Sequence, residues 1–275
     1  MDICGGIFMI KLIAADLDGT LLAPGGFEMP EANRRAVAKA VAAGVRFVIC
    51  TGRLFAGARK YALEMEGDCP VVCVNGAAVR MSRSLRWLRR VSMAAAPAGE
   101  ALEIMREADA KPWFYRGDIC RAEEITPELE NLKARTGAEV VLTHRLEELL
   151  AEGPEKIIAV LSPHRAKALQ RRLEERLGGR LYVTRSGNCQ VEVLAPGATK
   201  GRALELLARR WGIARAEIAA FGDNLNDLEL FKAAGLRVAM SNGDDELKAC
   251  ADLIAPPNGE AGVGQVIERL LAQGL

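Results

Sequence analysis

Histidine is almost missing from this chain: 275 residues include two, His144 and His164. Both sit in polar surroundings, which argues against a His-rich metal centre or a histidine nucleophile. Cysteine is present but unorganised. The seven cysteines have no paired, regular spacing, and the closest two, Cys69 and Cys73, are CxxxC and not CxxC, so a disulfide framework is not expected and a reducing cytoplasm suits the chain. Neither sign of charge is in excess. Thirty-seven Lys and Arg against 36 Asp and Glu leave a net charge of +1, which removes any global electrostatic case for nucleic acid or an anionic membrane as partner. Any anion site must be local, and the Arg171-Arg172 and Arg209-Arg210 pairs read as solvated helix faces. No apolar run is long enough to span a bilayer. The opening residues 1–8 lack the basic start of a signal peptide and read as an extension that the fold does not need.

Half the residues are hydrophobic, enough for a sizeable core in one large domain or a core carrying a second unit. Residues 9–15 form a nearly continuous apolar run of strand length, expected to be a buried parallel strand. It ends at Asp16-Leu17-Asp18-Gly19-Thr20. In open α/β sheets the ligand crevice lies outside the carboxyl ends of the strands, so Asp16 and Asp18 are placed to share one pocket. The stretch can supply a nucleophile, a proton carrier and ligands for a hard cation, or simply two solvated acids at a strand end. A helix over 31–43, a strand over 45–50 ending in Thr51-Gly52-Arg53, a helix over 54–66 and a strand over 71–74 closed by Asn75-Gly76 continue the alternation. This βαβαβ start predicts a doubly wound, mostly parallel sheet.

From residue 83 the pattern changes. Strands over 85–93, 113–121, 156–161, 181–184 and 190–194, with helices over 99–108, 126–135, 146–151 and 163–177, predict a separate α+β unit over 83–193, inserted in a core made of 1–82 and 194–275. The doubly wound pattern resumes with Thr199 as helix N-cap and Lys200 in the first turn, where a cation opposes the helix dipole and calls for an anionic neighbour. A strand over 217–221 then delivers Gly222-Asp223-Asn224-Leu225-Asn226-Asp227. Asp223, Asn226 and Asp227 can turn to one point that suits Mg²⁺, although Asn and Asp also serve as ordinary helix caps.

Together Asp16-Leu17-Asp18-Gly19-Thr20, Thr51-Gly52-Arg53, Lys200 and Gly222-Asp223-Asn224-Leu225-Asn226-Asp227 resemble, in order and placement, the four motifs of the haloacid dehalogenase-like hydrolase superfamily. The inserted unit between the Thr51 and Lys200 motifs resembles the large α+β cap of its Cof-type branch. Asn75-Gly76-Ala77, Glu192-Val193 and Gly197-Ala198-Thr199-Lys200-Gly201 look like further family features. Met240-Ser241-Asn242-Gly243 and Pro256-Pro257-Asn258-Gly259 depart from the family's usual loops. The resemblance implies a Rossmann-like core with a lid and a Mg²⁺-dependent phosphatase acting on small phosphorylated metabolites. Asp16 is then the nucleophile that becomes aspartyl-phosphate, and Asp18 the acid and base. Asp16, the Asp18 carbonyl and Asp223 are implied as metal ligands with Asp227 behind them, and Thr51, Gly52, Lys200 and Asn226 as the phosphate cradle. Arg53, Asn75, Gly76, Arg185, Asn188 and Glu192 are the candidates for substrate contact. A sugar phosphomutase and a phospho-ligand sensor are the alternatives. A transport ATPase of the superfamily, with threonine in place of Asp18 and membrane helices, does not match. The expected protein is a cytoplasmic monomer or small homo-oligomer, with neither nucleic acid nor membrane as partner.

Overall fold

The computed structural model describes residues 9–274; the extension 1–8 lies outside them. In chain order the strands are β1 (Leu12–Ala15), β2 (Arg46–Cys50), β3 (Pro70–Cys73), β4 (Ala78–Met81), β5 (Trp87–Arg90), β6 (Trp113–Arg116), β7 (Ile119–Ala122), β8 (Glu139–Leu142), β9 (Lys156–Val160), β10 (Tyr182–Ser186), β11 (Gln190–Leu194), β12 (Ile218–Gly222), β13 (Leu236–Met240) and β14 (Leu253–Ala255). The α-helices are α1 (Glu31–Ala42), α2 (Phe55–Leu63), α3 (Ala95–Glu107), α4 (Pro127–Thr136), α5 (Pro163–Leu177), α6 (Lys200–Trp211), α7 (Leu228–Lys232), α8 (Asp245–Lys248) and α9 (Gly262–Ala272). None of the described helices is long and apolar enough to cross a membrane.

Two sheets result. The first has eight strands in the order β14-β13-β12-β1-β2-β3-β4-β5, parallel from β14 to β3, with β4 and β5 added antiparallel. Its centre is β1, between β12 and β2, and all four β1 residues are buried. Alternation sends Ile13 and Ala15 to the face covered by α1 and α9, and Leu12 and Ala14 to the face covered by α6 and α7. Apolar side chains on both faces explain why the run reads as continuous rather than alternating. The second sheet has six strands in the order β10-β11-β9-β6-β7-β8 and is antiparallel except for β7–β8. Helices α3 and α5 pack together and α5 lies on β10 and β11.

The sheet topology departs from the sequence reading near residue 83. Strand β5, expected in the inserted unit, pairs with β4 at the edge of the first sheet, so the change of sheet comes after Arg90. Hydrophobic pattern marks a strand but does not name its partner. Residues 113–121 are two strands, because Gly117, with φ +61°, turns the chain between β6 and β7. The 146–152 stretch is a 3₁₀ helix and not an α-helix.

Candidate active site

The carboxyl ends of β1, β2 and β12 bring the motifs together. After β1 the chain makes a single π-type turn, with Leu21 N donating to Asp16 O and Leu22 N to Leu17 O. Gly19 sits at φ +78°, and a Cβ there would lie 2.3 Å from Asp223 Oδ2, so only glycine lets the two acidic loops meet. The turn is braced by asparagines: Asn33 donates to Leu21 O at 2.8 Å, Asn242 to Gly19 O at 2.8 Å and Asn258 to Leu22 O at 2.7 Å. The two loops that depart from the usual family pattern thus still hold the Asp16 turn.

Lys200 is fully buried at the start of α6, whose cap is Thr199 Oγ1 accepting from Arg202 N at 3.1 Å. Its ammonium donates to Asp16 Oδ1 and Asp227 Oδ1, both at 2.7 Å. These are the anionic neighbours that a lysine in a first helical turn requires. Burial disfavours the ammonium, but Asp16 and Asp227 outweigh it and hold Lys200 above its ordinary pKa. Gly76, at φ +93°, admits this helix start, since a Cβ there would lie 2.1 Å from Thr199 O. Asp227 is spent on structure: its other oxygen accepts from the amides of Asp223 and Asn224 at 3.0 and 3.1 Å.

Asp223 Oδ1 accepts from Thr20 Oγ1 at 2.8 Å. Burial, reinforced by Asp227, pushes its carboxyl up to about 7, and burial also pushes Asp16 well above the carboxylate range. Asp16, Asp223 and Asp227 each offer a carboxylate oxygen, all within 4.8 Å of one another. The second oxygens of Asp16 and Asp223 accept no hydrogen bond among the described residues. An all-oxygen set whose acids are crowded and desolvated fits a hard divalent cation. Asp18 does not bring its carboxylate to this cluster. Arg53 donates to it twice, from Nε at 2.7 Å and Nη2 at 2.6 Å, and also donates to Gly26 O.

A cavity of about 320 Å³ lies over these groups, and the second sheet forms its roof. Asp16, Asp18, Thr51, Gly52, Arg53, Asp223 and Asn226 line its floor. Of the roof candidates, Glu192 is buried and accepts from Asn75 Nδ2 at 2.5 Å, Lys156 Nζ at 2.7 Å, Ser186 Oγ at 2.8 Å and Gln190 Nε2 at 2.8 Å. Burial acts to raise its carboxyl, but Lys156 outweighs that and keeps it low. Asn226 Nδ2 bridges to Asn75 Oδ1 and Ser186 Oγ, both at 3.2 Å. Lys156 also donates to Gly52 O at 2.8 Å, which ties the roof to the Thr51-Gly52-Arg53 loop.

Arg185 and Asn188 are not brought to the cavity. Arg185 pairs with Val191 across β10–β11, on the face opposite Glu192, and donates to Gln170 on α5 at 2.6 Å; Asn188 is exposed in the hairpin turn. Ser186, next to Arg185 on the strand and so facing the other way, lines the cavity instead, together with Gln190, its partner across the hairpin. Lys156 and Arg135 also line the cavity without having been singled out. The one signal for Lys156 was a lysine opening a strand that is otherwise wholly apolar.

A family model described as haloacid dehalogenase-like hydrolase matches residues 13–267. Among curated relatives, the 5-amino-6-(5-phospho-D-ribitylamino)uracil phosphatase YwtE of Bacillus subtilis is 32% identical, over 96% of this chain and 99% of its own. The pyridoxal phosphate phosphatase YbhA of Escherichia coli is 30% identical, over 94% and 97%. A crystal structure of a haloacid dehalogenase-like hydrolase from Bacteroides thetaiotaomicron superposes with a TM-score of 0.81 at 27% identity, over 95% of this chain and 99% of that one.

Proposed function

The chain belongs to the haloacid dehalogenase-like hydrolases, and from that premise we propose that it hydrolyses phosphomonoesters of small metabolites through an aspartyl-phosphate on Asp16. The observation that carries this reading is the Asp16 carboxylate, held by Lys200 at 2.7 Å on the floor of the cavity beside Asp18, Thr51 and Asp223. A carboxylate oxygen of Asp16 forms a bond to phosphorus as the bond to the leaving alcohol breaks, and Asp18 gives that alcohol its proton. Water then attacks the phosphorus of the acyl phosphate, Asp18 takes the water's proton, and phosphate leaves with Asp16 restored. Lys200 and Thr51, with Gly52 and Asn226 beside them, oppose the charge gathered on the phosphoryl oxygens. Mg²⁺ held by Asp16, Asp223 and the Asp18 carbonyl would neutralise repulsion between the attacking carboxylate and the phosphoryl dianion. Asp227 fixes Lys200 and the Asp223 loop in place.

The inserted sheet acts as a lid that keeps water from the phosphoenzyme and selects the leaving group. A phosphorylated metabolite as substrate is supported by the names of the relatives, one a ribitylaminouracil phosphate phosphatase and one a pyridoxal phosphate phosphatase. The free cysteines among the described residues suit work in a reducing cytoplasm, as a monomer or small oligomer.

The test separates the two acids. Asp16→Asn should form no phosphoenzyme with any substrate. Asp18→Asn should lose about 10²- to 10⁴-fold in turnover, yet with p-nitrophenyl phosphate, whose leaving group needs no proton, it should release a burst of nitrophenol and carry phosphate on Asp16 in rapidly quenched samples. Steady turnover of Asp18→Asn without a covalent species, or label on another residue, would overturn the assignment.

A further inference from the structure

The cations that line the cavity or lie beneath it are matched by neighbouring acids: Arg53 by Asp18, Lys200 by Asp16 and Asp227, and Lys156 by Glu192. Arg135 is the exception. It stands in the last turn of α4 and reaches the cavity from the lid. Among the described residues it takes part in no ion pair, and its Nε is shut off from solvent without a hydrogen-bond partner. It lies beside the turn at Gly26. A Cβ placed on Gly26 would lie 2.7 Å from Asp18 Oδ1, 3.0 Å from Arg53 Nη2 and 3.8 Å from Arg135 Cδ, so the three side chains converge on one spot. Arg135 thus enters the cavity on the side of the proposed proton donor Asp18, where the leaving portion of a substrate would lie.

A desolvated guanidinium edge without an acceptor is costly, and a ligand oxygen that fills it recovers that cost. The planar fork of arginine matches the paired oxygens of a carboxylate or phosphate better than a single hydroxyl. Glu192 does not compete for it, since four donors already occupy that carboxylate. We propose that Arg135 is a specificity residue that binds a second oxyanion on the leaving portion, so that the preferred substrates are phosphomonoesters bearing a carboxylate or another phosphate. The inference rests on the phosphatase reading above, with Tyr115 and Leu132 as the wall against which the carbon skeleton lies.

Two matched pairs test it on the Mg²⁺-loaded protein: 3-phosphoglycerate against glycerol 3-phosphate for a carboxylate, and fructose 1,6-bisphosphate against fructose 6-phosphate for a second phosphate. The parent should favour the more anionic member of at least one pair about tenfold or more in kcat/KM, and the pair concerned identifies which oxyanion is read. Arg135→Met should erase that preference mainly through KM, lowering the anionic member about 10- to 100-fold and its partner far less. Arg135→Lys, which keeps charge but not the fork, should fall between. Binding of the same four compounds to Asp16→Asn, with and without Arg135→Met, is measured in parallel by calorimetry. Arg135-dependent binding without turnover in the parent would sink the phosphatase reading and leave this inference standing. Equal losses for both members of each pair, or no preference in turnover or binding, would overturn the role of Arg135.

Discussion

Replacing Lys200 by methionine keeps a long side chain in the same buried slot and removes the charge on which Asp16 and Asp227 depend. At 2.7 Å and an effective dielectric near 20, each of the two contacts carries a gross attraction of roughly 6 kcal/mol. Most of that is offset by the cost of burying the ammonium, so the net loss is the penalty of stranding buried carboxylates, about 3–5 kcal/mol. Urea unfolding of the chelated proteins at pH 7.5 should show that difference. The pH dependence then carries a sign. Asp16 has a folded pKa above its unfolded one because of burial, and losing the lysine raises it further. Between the unfolded and folded pKa values a folded protein holds a proton that its unfolded chain has released, so parent and variant both gain stability as pH falls, the variant from a higher pH because its folded pKa is higher. The gap to the parent should therefore narrow at pH 5. Turnover should drop by at least about 10²- to 10³-fold at either pH. A variant within 1 kcal/mol of the parent at pH 7.5, or a gap that does not change with pH, would refute the buried triad as drawn.

The metal-free protein should behave in the same sense through Asp223, whose carboxyl is raised to about 7: its share of stability is full below the ordinary Asp range and is lost as pH rises through 7. Added Mg²⁺ should consequently raise the melting temperature more at pH 8 than at pH 5, with EDTA reversing the gain; a larger gain at pH 5 would contradict the assignment of Asp223 to the metal. In the roof, Lys156→Met should cost about 3–5 kcal/mol by stranding Glu192. Lys156→Met with Glu192→Leu should recover at least about 2 kcal/mol of it without restoring turnover, because Gly52 O still lacks its donor; additive losses in the denaturant cycle would show that the pair is not coupled.

The core motifs were legible because each polar residue follows an apolar run, and the ends of parallel strands converge whatever the details of the loops. Helix α5 could be read to its ends from Pro163 and its apolar spacing, and the buried Lys200 from its conflict with the helix dipole. Strand membership was not legible: β5 has the same local pattern in either sheet, and only pairing with β4 decides it. Arg185, the expected contact, stands one residue from Ser186, which lines the cavity, and on a strand one residue is a whole face. Lys156 gave only the weak signal of a lysine opening an apolar strand, and Arg135 gave none. The partners of Lys156 lie 36 and 104 residues away in Glu192 and Gly52, and Arg135 looks like any other basic residue at a helix end.

Two buried charge clusters in one cavity are hard to justify by stability, since apolar replacements of similar volume are often neutral or better. Their arrangement gives the reason. The floor cluster around Lys200 orients the acids, and the roof cluster around Glu192 reaches down to the same loops by two routes. Lys156 takes the Gly52 carbonyl, and Asn75 joins Glu192 on one side to Asn226 on the other. Asn75 does so from a left-handed backbone, φ 52°, an uncommon conformation that the surrounding contacts must hold. Lys156 donates down to Gly52 O, while Asn75 and Asn226 donate up to Glu192 and Ser186, so these contacts exist only where the two sheets meet. If the second sheet acts as the proposed lid, its seating and the geometry of the Thr51-Gly52 loop are coupled through these contacts, and a substrate held through Arg135 would also set the loop that meets its phosphate.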